Sequence, residues 1–245
     1  MSQKTKTLGV FQVCLFAVVL FLFANVRCMA QEEDFLSVDY KKIEQFVQKE
    51  DAQFEKLVRR FVSVDTTLTL DELSAIYYGS FYSTKYSYSD ASDKVREGMK
   101  NKDYAAALKL CKKELEKSPA SLDLLQKAAT CAHYVGEEND AYYQKMVQIV
   151  DVILASGDGK TEKTAFKVVA VSDEYFLIYG LFDVSLKQQA LVGHCDRMTV
   201  YAEDDPDETV DLYFDVSLHL SRLNSIFGGF DTDSSKSAKK SKKKK

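Results

Sequence analysis

The sequence predicts an α+β fold, in which N-terminal helices and a helical hairpin region precede a small antiparallel sheet with short helices. Three observations predict it. From Asp39 to Leu154, apolar residues recur with helical spacing. After Leu154, short apolar runs are separated by turn residues. From Val210 to Val216, apolar and polar residues alternate strictly, as in a strand with one buried face. Helices followed by strands, rather than alternating with them, are typical of α+β proteins.

Composition places the chain among globular proteins. It has 245 residues, 46% hydrophobic and 29% charged, with only two prolines. These values exclude a low-complexity or disordered chain. Only one apolar run approaches membrane-spanning length, which excludes a multi-span membrane protein. The length suffices for one large domain or two small ones.

Residues 1–30 have the pattern of a secretory signal peptide. Lys4 and Lys6 supply a basic start, an apolar run covers Leu15 to Phe23, and small residues precede a cleavage point after Ala30. We therefore expect an exported protein, periplasmic or extracellular, with no transmembrane segment after cleavage. The alternative is an uncleaved membrane anchor, although the apolar stretch 8–24 is slightly short for a span.

Loss of this segment would leave an acidic body with a basic end. The formal net charge of the sequence is -4, and residues 31–230 alone carry about -12. A phosphate-binding face needs clustered Lys or Arg, so we expect no nucleic-acid partner. Residues 231–245 contain seven lysines and are expected to form a disordered tail. This tail is either simply solvated or contacts anionic envelope polymers or lipid head groups.

The region 31–90 is predicted to be helical. Thr69 and Glu72 have the spacing of a capping box, so a helix should begin just after Thr69. Five tyrosines follow between residues 77 and 88. Because a buried tyrosine needs a hydrogen-bond partner, we expect this segment at a semi-exposed junction. Ordinary packing is the simpler interpretation, and a sugar-binding aromatic platform is the alternative.

Residues 91–155 resemble two tetratricopeptide repeats. Asp103 and Tyr104 open a helical pattern, Ala107 and Ala141 lie 34 residues apart, and Pro119 follows a helix end. The small residues would let neighbouring helices pack closely. The resemblance implies a shallow peptide-binding groove, whereas a purely structural hairpin is the alternative. The groove-facing residues would be Asp123, Gln126, Lys127, Thr130, His133 and Tyr134.

Region 156–230 is predicted to contain short strands and helices, among them a strand over 166–171, a short helix capped by Ser172, and a turn at 193–196. His194 and Cys195 are residue types of a thiol hydrolase, but neighbours on an extended chain point to opposite sides. We therefore favour a turn with a partly buried cysteine. The acidic run 203–208 is interpreted as a hairpin tip, with calcium binding as the alternative. The histidines and cysteines lack the close spacing of metal ligands, so we expect no metal and no cofactor.

Three cysteines follow the predicted cleavage point: Cys111, Cys131 and Cys195. An odd number cannot form a complete disulfide framework. We expect free thiols, with Cys111–Cys131 as the most plausible pair if a disulfide exists.

Four short motifs in this order resemble an exported bacterial family, catalogued as domain of unknown function 4919. The motifs are Asp65-Thr66-Thr67-Leu68-Thr69, Tyr77-Tyr78-Gly79, Ser156-Gly157-Asp158-Gly159 with Thr164-Ala165-Phe166, and Tyr213-Phe214-Asp215-Val216. The resemblance implies no activity, substrate or catalytic residue. Together these observations predict an exported binding or scaffold module of the cell envelope with a protein or peptide partner. The alternative is an envelope hydrolase whose site lies between the helices and the sheet.

Overall fold

The computed structural model describes residues 35–202 and 208–227. The predicted signal peptide, the Lys-rich tail and residues 203–207 of the acidic run lie outside these ranges. In the first part of the chain the helices are α1 (Tyr40–Lys49), α2 (Asp51–Val62), α3 (Leu70–Gly79), α4 (Asp93–Lys100), α5 (Tyr104–Leu115), α6 (Leu122–Val135) and α7 (Asp140–Ala155).

The second part begins with a short 3-10 helix (Glu162–Thr164). It continues with β1 (Phe166–Lys167), α8 (Val171–Tyr175), a π-helical segment (Phe176–Leu181), β2 (Leu186–Val192), β3 (Cys195–Tyr201), β4 (Thr209–Asp215) and α9 (Ser217–Phe227). The predicted α+β class is confirmed. Within the described ranges, no helix combines the length and apolar character needed to cross a membrane.

Local sequence signals explain where several helices begin. The capping box at α3 is confirmed, since Thr69 Oγ1 accepts from the Glu72 backbone N–H at 3.2 Å. In return, a Glu72 carboxylate oxygen accepts from the Thr69 N–H at 2.9 Å. Asp103 and Ser121 accept backbone bonds in the same way at the starts of α5 and α6. These side chains satisfy amides that a helix start leaves without partners.

Helices α4 to α7 pack against one another in chain order. Ala107 is fully buried, and a Cβ added at Gly98 would lie 3.2 Å from the Ala107 Cβ. This close approach of α4 and α5 agrees with the small residues that the sequence places there. The tetratricopeptide resemblance of this region stays a prediction.

Among the described residues, the sheet has four strands in the order β1-β4-β3-β2. The pairs β2–β3 and β3–β4 are antiparallel, but β1 runs parallel to β4, with Phe166 opposite Phe214. The sheet is therefore mixed and not purely antiparallel as predicted. The expected strand over 166–171 shrinks to two residues, because the chain turns into α8 at Val171. The predicted turn between β2 and β3 is confirmed for Gly193, at a φ of 62°, and His194, but Cys195 and Asp196 already belong to β3.

One main core runs from the N-terminal helices to the sheet. It joins Phe54 of α2, Tyr77 of α3, Ile153 of α7 and Phe214 of β4, each with no exposed surface. The alternation predicted for β4 is confirmed at its end, where Phe214 and Val216 are buried. The helices and the sheet therefore meet in a junction that α8 and the π-helical segment occupy.

Candidate functional site

Helix α6 carries all six residues that the sequence suggests for peptide binding, and two of them are largely buried. Asp123 and Lys127 form an ion pair one helical turn apart. Asp123 Oδ2 also accepts a hydrogen bond from the Ala91 backbone N–H at 2.8 Å. Only 12% of the Asp123 side chain and 19% of the Lys127 side chain are exposed. These two residues therefore hold the segment before α4 against α6, and little of either side chain is accessible to a ligand.

The other four residues form a stripe along the accessible side of α6, which we name the α6 surface: Gln126, Thr130, His133 and Tyr134. Their spacing places them on adjacent turns over about 12 Å of helix. Thr130 Oγ1 donates to the Gln126 carbonyl oxygen at 2.9 Å. The stripe combines amide, hydroxyl, imidazole and phenol groups, so it can both donate and accept hydrogen bonds.

Tyr134 has the largest exposed fraction, 61%, of the exposed large hydrophobic side chains in the described part of the chain. Its ring stacks on that of Tyr104 from α5, with centroids 4.2 Å apart and planes 10° from parallel. The His133 ring meets Tyr134 edge-on at 5.7 Å. Stacking fixes the orientation of the Tyr134 ring and leaves most of it accessible. Such a ring is a preorganised contact for a ligand.

A second aromatic pair lies beside the other end of the α6 surface. Tyr175 and Tyr179 have nearly parallel rings 6.0 Å apart, and Tyr179 is 53% exposed. The neighbouring Gly180 lies next to the Gln126 side chain of α6, since an added Cβ would be in van der Waals contact with Gln126 Nε2 at 3.6 Å. These tyrosines belong to α8 and the π-helical segment, and π-helical turns are frequent at functional sites. The α6 surface thus has an aromatic pair at each end.

Three of the five tyrosines between residues 77 and 88 are buried, in contrast to the semi-exposed junction expected, whereas Tyr82 and Tyr86 are half-buried. Tyr77, Tyr78 and Tyr88 are at most 4% exposed, which excludes these three rings from an aromatic platform for sugars. Tyr77 Oη donates to Asp173 Oδ2 at 2.6 Å, and Tyr88 Oη donates to Asp173 Oδ1. Asp173, at the start of α8, is the partner that these buried hydroxyls require.

Asp173 is held at the centre of the junction. Its Oδ2 also accepts from the Ala170 N–H at 3.1 Å, so Asp173 and not Ser172 satisfies the start of α8. Burial raises the pKa of Asp173 to about 7, although the bonds from Tyr77 and Tyr88 oppose the increase. This carboxyl therefore links α3, Tyr88 in the connection between α3 and α4, and α8.

The next residue, Glu174, is fully buried, and neither of its carboxyl oxygens has a hydrogen-bond partner in the described part of the chain. Burial, followed by the nearby Asp196 carboxylate, raises the pKa of Glu174 to about 9. Asp196 accepts from Gln189 Nε2 at 2.7 Å, and Gln189 Oε1 accepts from Tyr175 Oη at 2.7 Å. A chain of polar groups thus runs from a half-exposed tyrosine to a buried acid pair.

Sequence reasoning missed Asp173 and Glu174. Both lie in a five-residue helix whose sequence gives no sign of burial. A possible signal was the number of tyrosines in 77–88, because buried hydroxyls require an acceptor from elsewhere in the chain.

Cys195 is not arranged as a catalytic thiol. It is fully buried, its Sγ lies 3.7 Å from the Glu162 carbonyl oxygen, and burial raises its pKa to about 11. A nucleophilic cysteine needs the opposite shift, toward the thiolate. His194 is exposed in the adjacent turn. Cys111, Cys131 and Cys195 are all free, which confirms the expectation of free thiols.

Metal binding finds no support within residues 35–202 and 208–227, where no cluster of three or more His, Cys, Asp or Glu side chains is suited to a metal ion. Most of the acidic run considered for calcium lies outside these ranges.

Comparison with curated proteins and with solved structures found no match. A family model does match, over residues 41–225, which covers α1 from its second residue, the α6 surface, the buried junction and the whole sheet. The family expected from the four sequence motifs is thereby confirmed. The chain belongs to the family described as Domain of unknown function (DUF4919).

Proposed function

We propose that this protein is an exported peptide-binding module of the cell envelope and that the α6 surface is its binding site. The observation that carries the proposal is Tyr134, whose ring is mostly exposed yet held flat against Tyr104. Hot spots in protein interfaces are enriched in tyrosine, and a fixed ring loses little entropy when a ligand covers it.

The surroundings of Tyr134 support a peptide as the ligand. Gln126 and Thr130 offer polar groups within about two helical turns of the ring, and Val135 beside it is 38% exposed. An extended peptide could place apolar side chains on the Tyr134 and Tyr179 rings and its backbone amides against the polar groups between them.

The alternative of an envelope hydrolase has weaker support. A site between the helices and the sheet would have to use Glu174 and Asp196, because Cys195 lacks an activated thiol. Glu174 has no exposed surface and Asp196 only 9%, so this pair offers no access to a substrate in the present conformation. The accessible α6 surface supports binding better.

Replacing Tyr134 by Ser is expected to weaken peptide binding about tenfold or more, because the variant loses a central aromatic contact. Peptides would be selected from a displayed random library on the wild-type protein, and their affinities measured by fluorescence anisotropy. Tyr143→Ser is the matched control, since Tyr143 is 43% exposed on α7. It should change affinity less than about twofold. Equal effects of the two variants, or no selected peptide, would contradict the proposal.

Export is supported by the basic start, apolar run and small residues of segment 1–30. Sequencing of the native protein from its N-terminus is therefore expected to begin at Gln31. A chain that begins at Met1 and sediments with membranes would instead indicate an uncleaved anchor. We also propose that the Lys-rich end at 231–245 makes a separate contact with anionic envelope polymers or lipids.

A further inference from the structure

An open cavity of about 700 Å³ lies at the end of the sheet where β1 and β4 finish and β3 begins. Phe166 and Phe214 point into the core, so their neighbours Lys167 and Asp215 lie on the opposite face of the sheet and line this cavity. The 3-10 helix supplies Glu162 and Lys163, and the β2–β3 turn supplies His194. Ligand sites are commonly of this volume.

Two opposite charges lie on neighbouring strands in this cavity, and each is hydrogen-bonded to the backbone. Lys167 and Asp215 are paired residues of neighbouring strands. Lys167 Nζ donates to the Ser156 carbonyl oxygen at 2.9 Å, and Asp215 Oδ1 accepts from the Ser217 N–H at 2.9 Å. None of the ion pairs within 4.0 Å among the described residues joins these two side chains. Each therefore retains charge that a ligand could satisfy.

The flanking residues repeat this arrangement. Lys163 adds a second ammonium group and Glu162 a second carboxylate, both on exposed side chains beside the half-buried pair. A purely anionic ligand would face two carboxylates, and a purely cationic ligand would face two ammonium groups. Only a ligand that carries both signs of charge can pair with both types of group.

We propose that the cavity at the end of the sheet binds a small zwitterion of the amino-acid type, either a free amino acid or a short unblocked peptide. Asp215 receives the ligand's ammonium group and Lys167 receives its carboxylate. The volume exceeds that of a single amino acid and accommodates a peptide of a few residues. This site is independent of the α6 surface, so it stands or falls apart from the proposed function.

Isothermal titration calorimetry with blocked and unblocked ligands tests the proposal on the wild-type protein. Trialanine is the probe, compared with its N-acetylated, C-amidated and doubly blocked forms. Each single block is expected to weaken binding about tenfold or more, because it removes one charge-assisted contact. L-Alanine decides the source: binding equal to that of trialanine assigns the site to free amino acids, and weaker binding assigns it to peptides.

Variants assign each charge to its partner. With Asp215→Asn, acetylation of the ligand should no longer weaken its binding. With Lys167→Met, amidation of the ligand should no longer weaken its binding. Asp211→Asn, on the same strand and face but outside the cavity lining, should behave as the wild type. Doubly blocked trialanine that binds as tightly as trialanine would overturn the proposal, and so would absence of heat at about 10 mM ligand. If Lys167→Met fails to fold, the wild-type series alone still decides.

Discussion

Replacing Glu174 by Gln is expected to stabilise the protein at pH 8 and to flatten the dependence of its stability on pH. Burial and the Asp196 carboxylate raise the pKa of Glu174 from 4.5 to about 9. The Gln side chain has nearly the same shape but does not ionise. The variant therefore avoids the cost that the folded protein bears when Glu174 must stay protonated or become a buried, unpaired charge.

The sign follows from the two ends of the titration. Below about pH 4.5, the Glu174 carboxyl is protonated in both the folded and the unfolded chain. As the pH rises toward 9, the unfolded chain releases this proton while the folded chain retains it, so unfolding becomes progressively more favourable. The stability present below pH 4.5 is thus lost as the pH rises through the folded-state pKa. A full shift would amount to about 6 kcal/mol, and we expect about 3 kcal/mol at pH 8 because buried sites relax.

The measurement is urea denaturation of the wild type and of Glu174→Gln at several pH values from 5 to 9. Asp173, with its pKa raised to about 7, remains in the variant. Its titration still lowers the stability of both proteins as the pH rises toward 7. The gain should therefore be clearest between pH 7 and 9. Glu97→Gln, at an exposed position of α4, is the matched control and should leave the profile unchanged. Parallel profiles for the wild type and Glu174→Gln would show that the folded-state pKa is ordinary.

The sequence predicted the features that depend on residues close together in the chain. The capping box of Thr69 and Glu72 joins positions three residues apart. The turn at Gly193 and the alternation along β4 are equally local. The fold class follows from such signals, because each helix or strand shows its own period.

Features that join distant segments were not predictable. Tyr77 and Tyr88 looked suited to a semi-exposed place, because nothing nearby in the sequence offers a buried acceptor. Their acceptor, Asp173, follows 96 and 85 residues later. The parallel pairing of β1 with β4 likewise joins residues about 48 positions apart.

The candidate binding site was predicted only in part, because some of its contacts also join distant segments of the chain. The spacing of Asp123 and Lys127 is that of a common ion pair along a helix, which could have warned that they satisfy each other. The stacking of Tyr134 on Tyr104 joins two helices and depends on their packing. Helical periodicity alone therefore located the accessible side of α6 but not the stack of Tyr134 on Tyr104.

Replacing Gly157 by Ala is expected to destabilise the fold by about 3 kcal/mol, the upper range for an overpacked site. A Cβ at this position would lie 2.3 Å from the Thr164 carbonyl oxygen and 2.6 Å from that of Ala165. Both obstacles are backbone atoms, so no side-chain rotation relieves the clash. Urea denaturation monitored by circular dichroism measures the loss.

The backbone cannot easily shift to relieve the clash, because hydrogen bonds hold the loop after α7 on both sides of Gly157. The Lys167 N–H donates to Ser156 Oγ at 2.9 Å, and the Gly159 N–H donates to the Thr164 carbonyl oxygen at 2.8 Å. Gly136→Ala is the matched control: Gly136 has a φ of 76°, but nothing lies within 4 Å of an added Cβ. It should cost only about 1 kcal/mol of conformational strain. Similar losses of unfolding free energy for the two variants would mean that the loop moves freely. A much larger loss for Gly157→Ala would show that close backbone packing holds this loop against the segment that leads into β1.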